Sequence, residues 1–277
     1  MIADIELLSA LLPGQEPLLV PRLKLIYQPL TKVGCKSLKS WLFILDDFDK
    51  YEDNIDEYYA QATDEHYNVD KSFHIHNLAS TRYGMFTNGI IRPPTFKVPQ
   101  EYYSYKKVLF VRNPWDRIAS CFVDKAVPAN QYWKLANMQN WFKKIDSRPE
   151  YFSEDGRFTF EGFLEAVGRV IEDEITEYFD PHWLPQSLTA YTFLDEYDEI
   201  GKLETLNEDI ERIGSTLDTT VPPVGIVDKV VDRDGNHSEK KTKAGNYESF
   251  FLNSDLIKKV EQIYADDIDL FKYTYGQ

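Results

Sequence analysis

At 277 residues the chain accommodates one large α/β domain, and a content of 43% hydrophobic and 14% aromatic residues supplies the core such a domain needs. A formal charge of −15 excludes a nucleic-acid partner, because a duplex is repelled over most of such a surface; no apolar run approaches the roughly 18 residues of a membrane span. Two cysteines, Cys35 and Cys121, are too few for a disulfide framework, and the N-terminal MIADIELLSALLPGQEP lacks the basic start and cleavage site of a signal peptide, so a soluble, cytoplasmic protein is expected.

The run LKLIYQPL (23–30) reads as a buried strand, and the short turn TKVGCKS leads into LKSWLFILDDF (38–48), whose apolar residues recur at near-helical spacing. The acidic, aromatic stretch 46–70 reads as a solvated segment. KSFHIHNL (71–78) has the character of a second strand, and the Gly, Asn and Pro residues of 84–100 mark a connection. KKVLFV (106–111) is the clearest buried strand. NPWDRIASCFVDKA (113–126) is the clearest helix, with Asn113 suited to the N-cap and Pro114 to the first turn. Further helices are expected over 131–145, 158–175 and 255–271, with a short strand, turn and helix over 197–217. Strands alternating with helices predict a single domain over 1–277: an α/β, three-layer fold with a mainly parallel central sheet flanked by helices.

Two strand–loop–helix junctions carry chemistry, because ligands of open parallel sheets gather at the carboxyl ends of the strands. In the first, Lys32-Val33-Gly34-Cys35-Lys36-Ser37 brings two cations, a hydroxyl and a conformationally free glycine to a helix entrance, where backbone amides attract phosphate or sulfate. An ATP-type P-loop ending in G-K-[ST] requires a second glycine five residues earlier, and Pro29 stands there. In the second, Arg112 follows the strand directly and Ser120 lies about two turns into the next helix, an arrangement suited to a phosphate.

From Gln28 to Leu38 the sequence resembles the 5′-phosphosulfate loop of sulfotransferases that use 3′-phosphoadenosine 5′-phosphosulfate (PAPS). FVRNPWDRIASCF (110–122) resembles their 3′-phosphate motif, and the pattern F-V-R-x-P-[FW]-x-R-[LI]-x-S-x-[FY]-x-x-K of the carbohydrate branch extends the match to Lys125. PHWLPQ (181–186), YDEIGKLETL (197–206) and IYADDIDLFKY (263–273) are similar to three further segments of that branch, in the family's order.

The resemblance implies a P-loop-NTPase-like sulfotransferase fold and in-line transfer of a sulfuryl group from PAPS, without a metal, to a hydroxyl of a carbohydrate or small-molecule acceptor. It assigns Lys32 to the leaving oxygen, the loop from Gly34 through Cys35, Lys36 and Ser37 to the 5′-phosphosulfate, and Arg112 and Ser120 to the 3′-phosphate. Lys36 stands where the family commonly has Thr. Lys243 is a weaker assignment, as a residue closing over the nucleotide. Many relatives carry a membrane anchor and extra cysteines; neither is evident here, so no membrane partner is expected.

The acceptor hydroxyl needs a general base, and histidine suits the task with its unperturbed pKa near 6.5. Of His66, His74, His76, His182 and His237, the pair His74 and His76 ends the expected strand between the cofactor motifs, and His76 is favoured slightly over His74. His182 is the rival, in a family-like segment, with simple packing beside Trp183 as the alternative.

Trp133 and Trp141, eight residues apart, fit one buried helix face better than a sugar-stacking platform. Asp266 and Asp267 are expected on a solvated helix surface, and Glu204 fits either an ion pair or a substrate contact. The acidic, aromatic stretches 46–105 and 126–190 are expected to form the acceptor pocket and to favour a neutral or cationic acceptor. Two other readings stand beside the leading one: an NTP-dependent phosphotransferase, which the missing glycine disfavours, and a degenerate family member that binds nucleotide without turnover.

Overall fold

A computed structural model describes residues 12, 15–34, 38–39, 41–42, 98–127, 132–217 and 247–276. The expected strand at 71–78, and with it His74 and His76, lies outside these residues, as do Cys35, Lys36, Ser37, His66, His237 and Lys243.

Among the described residues four strands form one sheet in the order β1 (Leu18–Val20), β2 (Leu25–Gln28), β3 (Lys106–Val111) and β4 (Glu199–Lys202). β1 runs antiparallel to β2, whereas β2–β3 and β3–β4 are parallel, with Tyr27 opposite Val108 and Phe110 opposite Gly201. The sheet is therefore mixed among the described residues. Sequence periodicity does not reveal β1: it is a three-residue edge strand ahead of a 3-10 turn at Pro21–Leu23. Pairing of the parallel strands places the carboxyl ends of β2, β3 and β4 along one edge.

Alternation along β3 divides its side chains between two cores. Val108 and Phe110 pack with Tyr27, Trp41, Leu42, Ile210 and Ile213. Leu109 and Val111 join a larger cluster with Ile118, Phe122, Phe163, Val167 and Trp183. Helices therefore cover both faces, the arrangement that buries a sheet with parallel strands. Close packing extends to the backbone: a Cβ on Gly201 would lie 2.4 Å from the Phe110 ring, so β4 passes under that ring only as glycine.

Helix α1 (Pro114–Lys125) starts where the sequence predicts, with the Asn113 side chain accepting from the Trp115 amide at 3.0 Å and Pro114 in the first turn. α2 (Trp133–Ile145), α3 (Phe160–Glu172), α4 (Gln186–Ala190) and α5 (Leu206–Ser215) follow. The single C-terminal helix expected over 255–271 is instead two, α6 (Ser254–Ile263) and α7 (Ala265–Phe271). They break at Tyr264, whose backbone leaves the helical region (φ −115°, ψ 31°) and whose buried hydroxyl donates to the Trp183 carbonyl at 2.7 Å. None of the described helices is long and apolar enough to cross a membrane.

Candidate functional site

The loop after β2 is held in an unusual backbone conformation. Lys32 adopts φ +64° and Gly34 φ +70°, the left-handed region that glycine enters freely and lysine does not. A Cβ on Gly34 would also lie 2.8 Å from Leu203 Cδ1, in the segment after β4. The Leu38 amide donates to the Gly34 carbonyl at 3.0 Å.

Arg112 leaves the carboxyl end of β3 and meets that loop directly: its Nη1 donates to the Lys32 carbonyl at 3.2 Å. The guanidinium also lies over the Tyr247 ring, 5.0 Å from its centroid. The structure thus brings together two residues that the sequence places 80 positions apart. Ser120 is half-buried on α1, the helix that Asn113 starts beside Arg112.

Arg117, which the sequence reading includes only as part of a motif, organises the site. It is buried, and its Nε donates to the Thr31 carbonyl at 3.2 Å, its Nη1 to the Leu184 carbonyl at 2.9 Å and its Nη2 to the Pro181 carbonyl at 2.7 Å. The Thr31 hydroxyl donates to the same Pro181 oxygen. The Lys32 loop and the Pro181–Gln186 segment are therefore bound into one unit through α1, and the three elements converge on one face.

On that face Lys32 Nζ pairs with Asp124 Oδ2 at 3.0 Å, and Lys125 Nζ lies 3.4 Å from the same oxygen. Burial works to raise the Asp124 pKa, but the two lysines outweigh it and hold the carboxyl below its ordinary value. Lys125 also lies over the Tyr132 ring, 4.9 Å from its centroid. The Tyr132 hydroxyl donates to Asp180 Oδ2 at 2.5 Å, and His182 Nδ1 lies 2.5 Å from Asp180 Oδ1. Burial alone would raise Asp180, but its bonds with His182 and Tyr132 bring it down to about 2. His182 is lowered from 6.5, first by burial; Asp180 opposes that shift, while the Lys125 and Lys32 charges add to it.

Several expectations change. The His182 side chain retains 24% exposure and lies edge-on to Tyr132, while Trp183 beside it is fully buried. Trp133 and Trp141 do not share a buried face, since Trp133 is 62% exposed and Trp141 packs against Phe142 and Tyr178. Asp267 is fully buried rather than solvated; it accepts from the amides of Gln186 and Ser187 at 2.8 and 2.7 Å and from the Ser187 hydroxyl at 2.6 Å. Glu204 accepts from the Asn113 amide at 2.7 Å and the Tyr273 hydroxyl at 3.0 Å, which ties the start of α1 to the C-terminal segment. Asp180 and Tyr132 were not singled out from sequence; the available signal was the i, i+2 spacing of Asp180 and His182. Cys121 is a buried free thiol, with burial pushing its pKa up to about 12, so it takes no part as a thiolate. No group of three or more potential metal ligands occurs among the described residues.

The model of the sulfotransferase family, Sulfotransfer_2, matches residues 16–274. Human carbohydrate sulfotransferase 9 is 28% identical over 181 residues, which cover 62% of this chain and 38% of that protein. Carbohydrate sulfotransferase 12 of Mus musculus is 27% identical over 202 residues, covering 68% of this chain and 45% of that protein, and its Xenopus laevis counterpart is 28% identical over 202 residues. The chain thus spans less than half the length of these curated relatives. No solved structure matches significantly. With the family match running from ahead of β2 through the C-terminal helices, and thus over every element that builds this site, the chain belongs to the sulfotransferase family.

Proposed function

We propose that the protein transfers a sulfuryl group from PAPS to a hydroxyl of a carbohydrate or small-molecule acceptor, on a three-layer, P-loop-NTPase-like fold. The observation that carries this reading is the junction of Lys32 and Arg112, whose loops meet through a 3.2 Å hydrogen bond at the carboxyl edge of parallel strands. A donor with two separate anionic groups fits there, because Lys32, Lys125 and Arg112 gather in a chain of net charge −15.

In this reading Lys32 offsets the charge that develops on the leaving bisphosphate, and Gly34 with Cys35, Lys36 and Ser37 surrounds the 5′-phosphosulfate. Arg112 and Ser120 hold the 3′-phosphate. The protein's contribution is positioning and charge stabilisation rather than covalent chemistry. The names of the curated relatives favour a carbohydrate hydroxyl over other acceptors.

Thermal-shift measurements test the donor assignment. 3′-Phosphoadenosine 5′-phosphate is expected to raise the melting temperature and ATP to leave it unchanged, since a ligand stabilises the folded state by mass action. Transfer of 35S from labelled PAPS to a panel of methyl glycosides separates an enzyme from a binding-only family member. Stabilisation by ATP alone would favour the phosphotransferase reading instead.

A further inference from the structure

We propose that His182 is the general base that deprotonates the acceptor hydroxyl, and that Asp180 is the positioning residue that fixes its ring, an assignment that rests on the sulfuryl-transfer reading above. Asp180 lies beneath the histidine with 2% exposure and bonds it twice: Oδ1 accepts from the His182 amide at 2.9 Å and meets Nδ1 at 2.5 Å. A carboxylate at Nδ1 requires the proton there, which leaves the Nε2 lone pair free to accept one. No hydrogen bond engages Nε2 among the described residues, and the side chain is partly open to solvent.

The remaining Asp180 oxygen is committed as well. It accepts from the Tyr132 hydroxyl at 2.5 Å and faces Lys134 Nζ at 3.7 Å. A packed scaffold holds this arrangement: the Tyr132 ring sits edge-on to both His182 and Trp183, with centroids 6.3 Å away in each case. Among the described residues Asp180, Tyr132, Lys134, Lys125 and Lys32 are the charged and titratable groups around the imidazole, contributed by its own segment, α1, α2 and the loop after β2. Burial first, and then the two cations from α1 and the loop, disfavour a proton on His182 in the resting protein, while Asp180 stabilises the imidazolium once it forms.

Position relative to the donor lysine completes the case. Thr31, next to Lys32, is hydrogen-bonded to the carbonyl of Pro181, next to His182, and Arg117 clamps both carbonyls. In the transfer step the acceptor oxygen forms a bond to sulfur as its proton passes to His182 Nε2. The bond from sulfur to the bridging oxygen of PAPS breaks, and its electron pair leaves with 3′-phosphoadenosine 5′-phosphate beside Lys32.

His182→Gln and Asp180→Asn, compared with wild type, test the proposal. His182→Gln is expected to keep the melting-temperature rise produced by 3′-phosphoadenosine 5′-phosphate and to lose about 100-fold or more in 35S transfer from PAPS to methyl glycosides. Asp180→Asn is expected to lose less, at unchanged bisphosphate binding, and to displace the acid limb of the kcat/KM profile. Histidine 15N spectra of the wild type are expected to show His182 as the Nδ1–H tautomer, with that preference lost in Asp180→Asn. Wild-type-like transfer by His182→Gln, or a His182 proton resident on Nε2, overturns the base assignment while leaving the donor reading in place. A wild-type protein indifferent to the bisphosphate overturns the donor reading itself, and the base with it.

Discussion

The Gln186 side chain pairs with both backbone groups of Arg112: Oε1 accepts from the Arg112 amide at 2.9 Å and Nε2 donates to the Arg112 carbonyl at 2.8 Å. The residue at the end of β3 thus has its peptide register fixed by a fully buried amide from α4, which Asp267 holds in turn through Oδ2. Replacing Gln186 by Leu keeps the volume but strands the Arg112 amide and carbonyl in the interior, while the backbone amide at 186 still bonds Asp267. A loss of about 3 kcal/mol in urea unfolding is expected, since each unsatisfied buried polar group costs roughly 1–3 kcal/mol. A loss below 1 kcal/mol would mean that water replaces the amide and that the register of Arg112 is fixed elsewhere.

At Gly34 two independent restraints coincide, the torsion of +70° and the 2.8 Å approach that a Cβ would make to Leu203. Gly34→Ala is expected to destabilise the fold by about 1–2 kcal/mol from the torsion alone. It should also weaken binding of 3′-phosphoadenosine 5′-phosphate in calorimetry. Leu203→Ala in the same chain relieves the contact but not the torsion, so it should restore only part of the loss. Full restoration would show that sterics, and not the left-handed backbone, make glycine necessary.

Local signals made β3 and α1 legible from sequence: a continuous apolar run, then an Asn-Pro cap. The same signals place Arg112 directly after β3 and Lys32 in the loop that follows β2. Asp267 was misread because its neighbours on α7 alternate acid and apolar residues, and nothing local shows that α4 packs its first two amides against that carboxylate. The break at Tyr264 was equally hidden, since it is set by a hydroxyl bonded to a carbonyl 81 residues away. The Asp180–His182 pair was visible as spacing, but its meaning depends on Tyr132 and Lys125, which the fold brings in from α2 and α1.

Acid should weaken the fold in two stages with the same sign. His182 has a folded pKa below its unfolded 6.5, so the unfolded chain takes up a proton first and stability falls as pH drops from 6.5 toward the folded value. Asp180 is lowered to about 2 from 3.8, so its contribution is complete above the unfolded value and is lost as pH falls from there to about 2. Urea melts at pH 8, 6 and 5 are expected to show the first loss, and His182→Gln should flatten that part of the curve. An unchanged slope in the variant would place the titration on other groups.

Trp133 stands 62% exposed at the start of α2, its ring centroid 6.3 Å from that of Tyr132, which itself holds Asp180. An exposed indole beside the proposed base is suited to stack against the apolar face of a sugar. Trp133→Ala is expected to raise the KM for a methyl glycoside acceptor about 3–10-fold, with the melting temperature and bisphosphate binding unchanged. A fall in melting temperature without a change in KM would return Trp133 to a packing role.

Among the described residues Asp124 is the carboxylate paired with Lys32, at 3.0 Å, and half of its side chain is exposed to solvent. An anionic donor must compete with it for that ammonium. Asp124→Asn removes the competing charge while retaining a polar side chain of the same size, so tighter binding of 3′-phosphoadenosine 5′-phosphate is expected. An increase of about 3–10-fold follows from an interaction worth roughly 1 kcal/mol at a partly screened site. The gain should shrink at high salt, because the charge removed faces solvent. Weaker binding in the variant would show the opposite role: Asp124 would then serve to aim the Lys32 side chain, and the ammonium freed from it would be lost to the donor rather than released toward it.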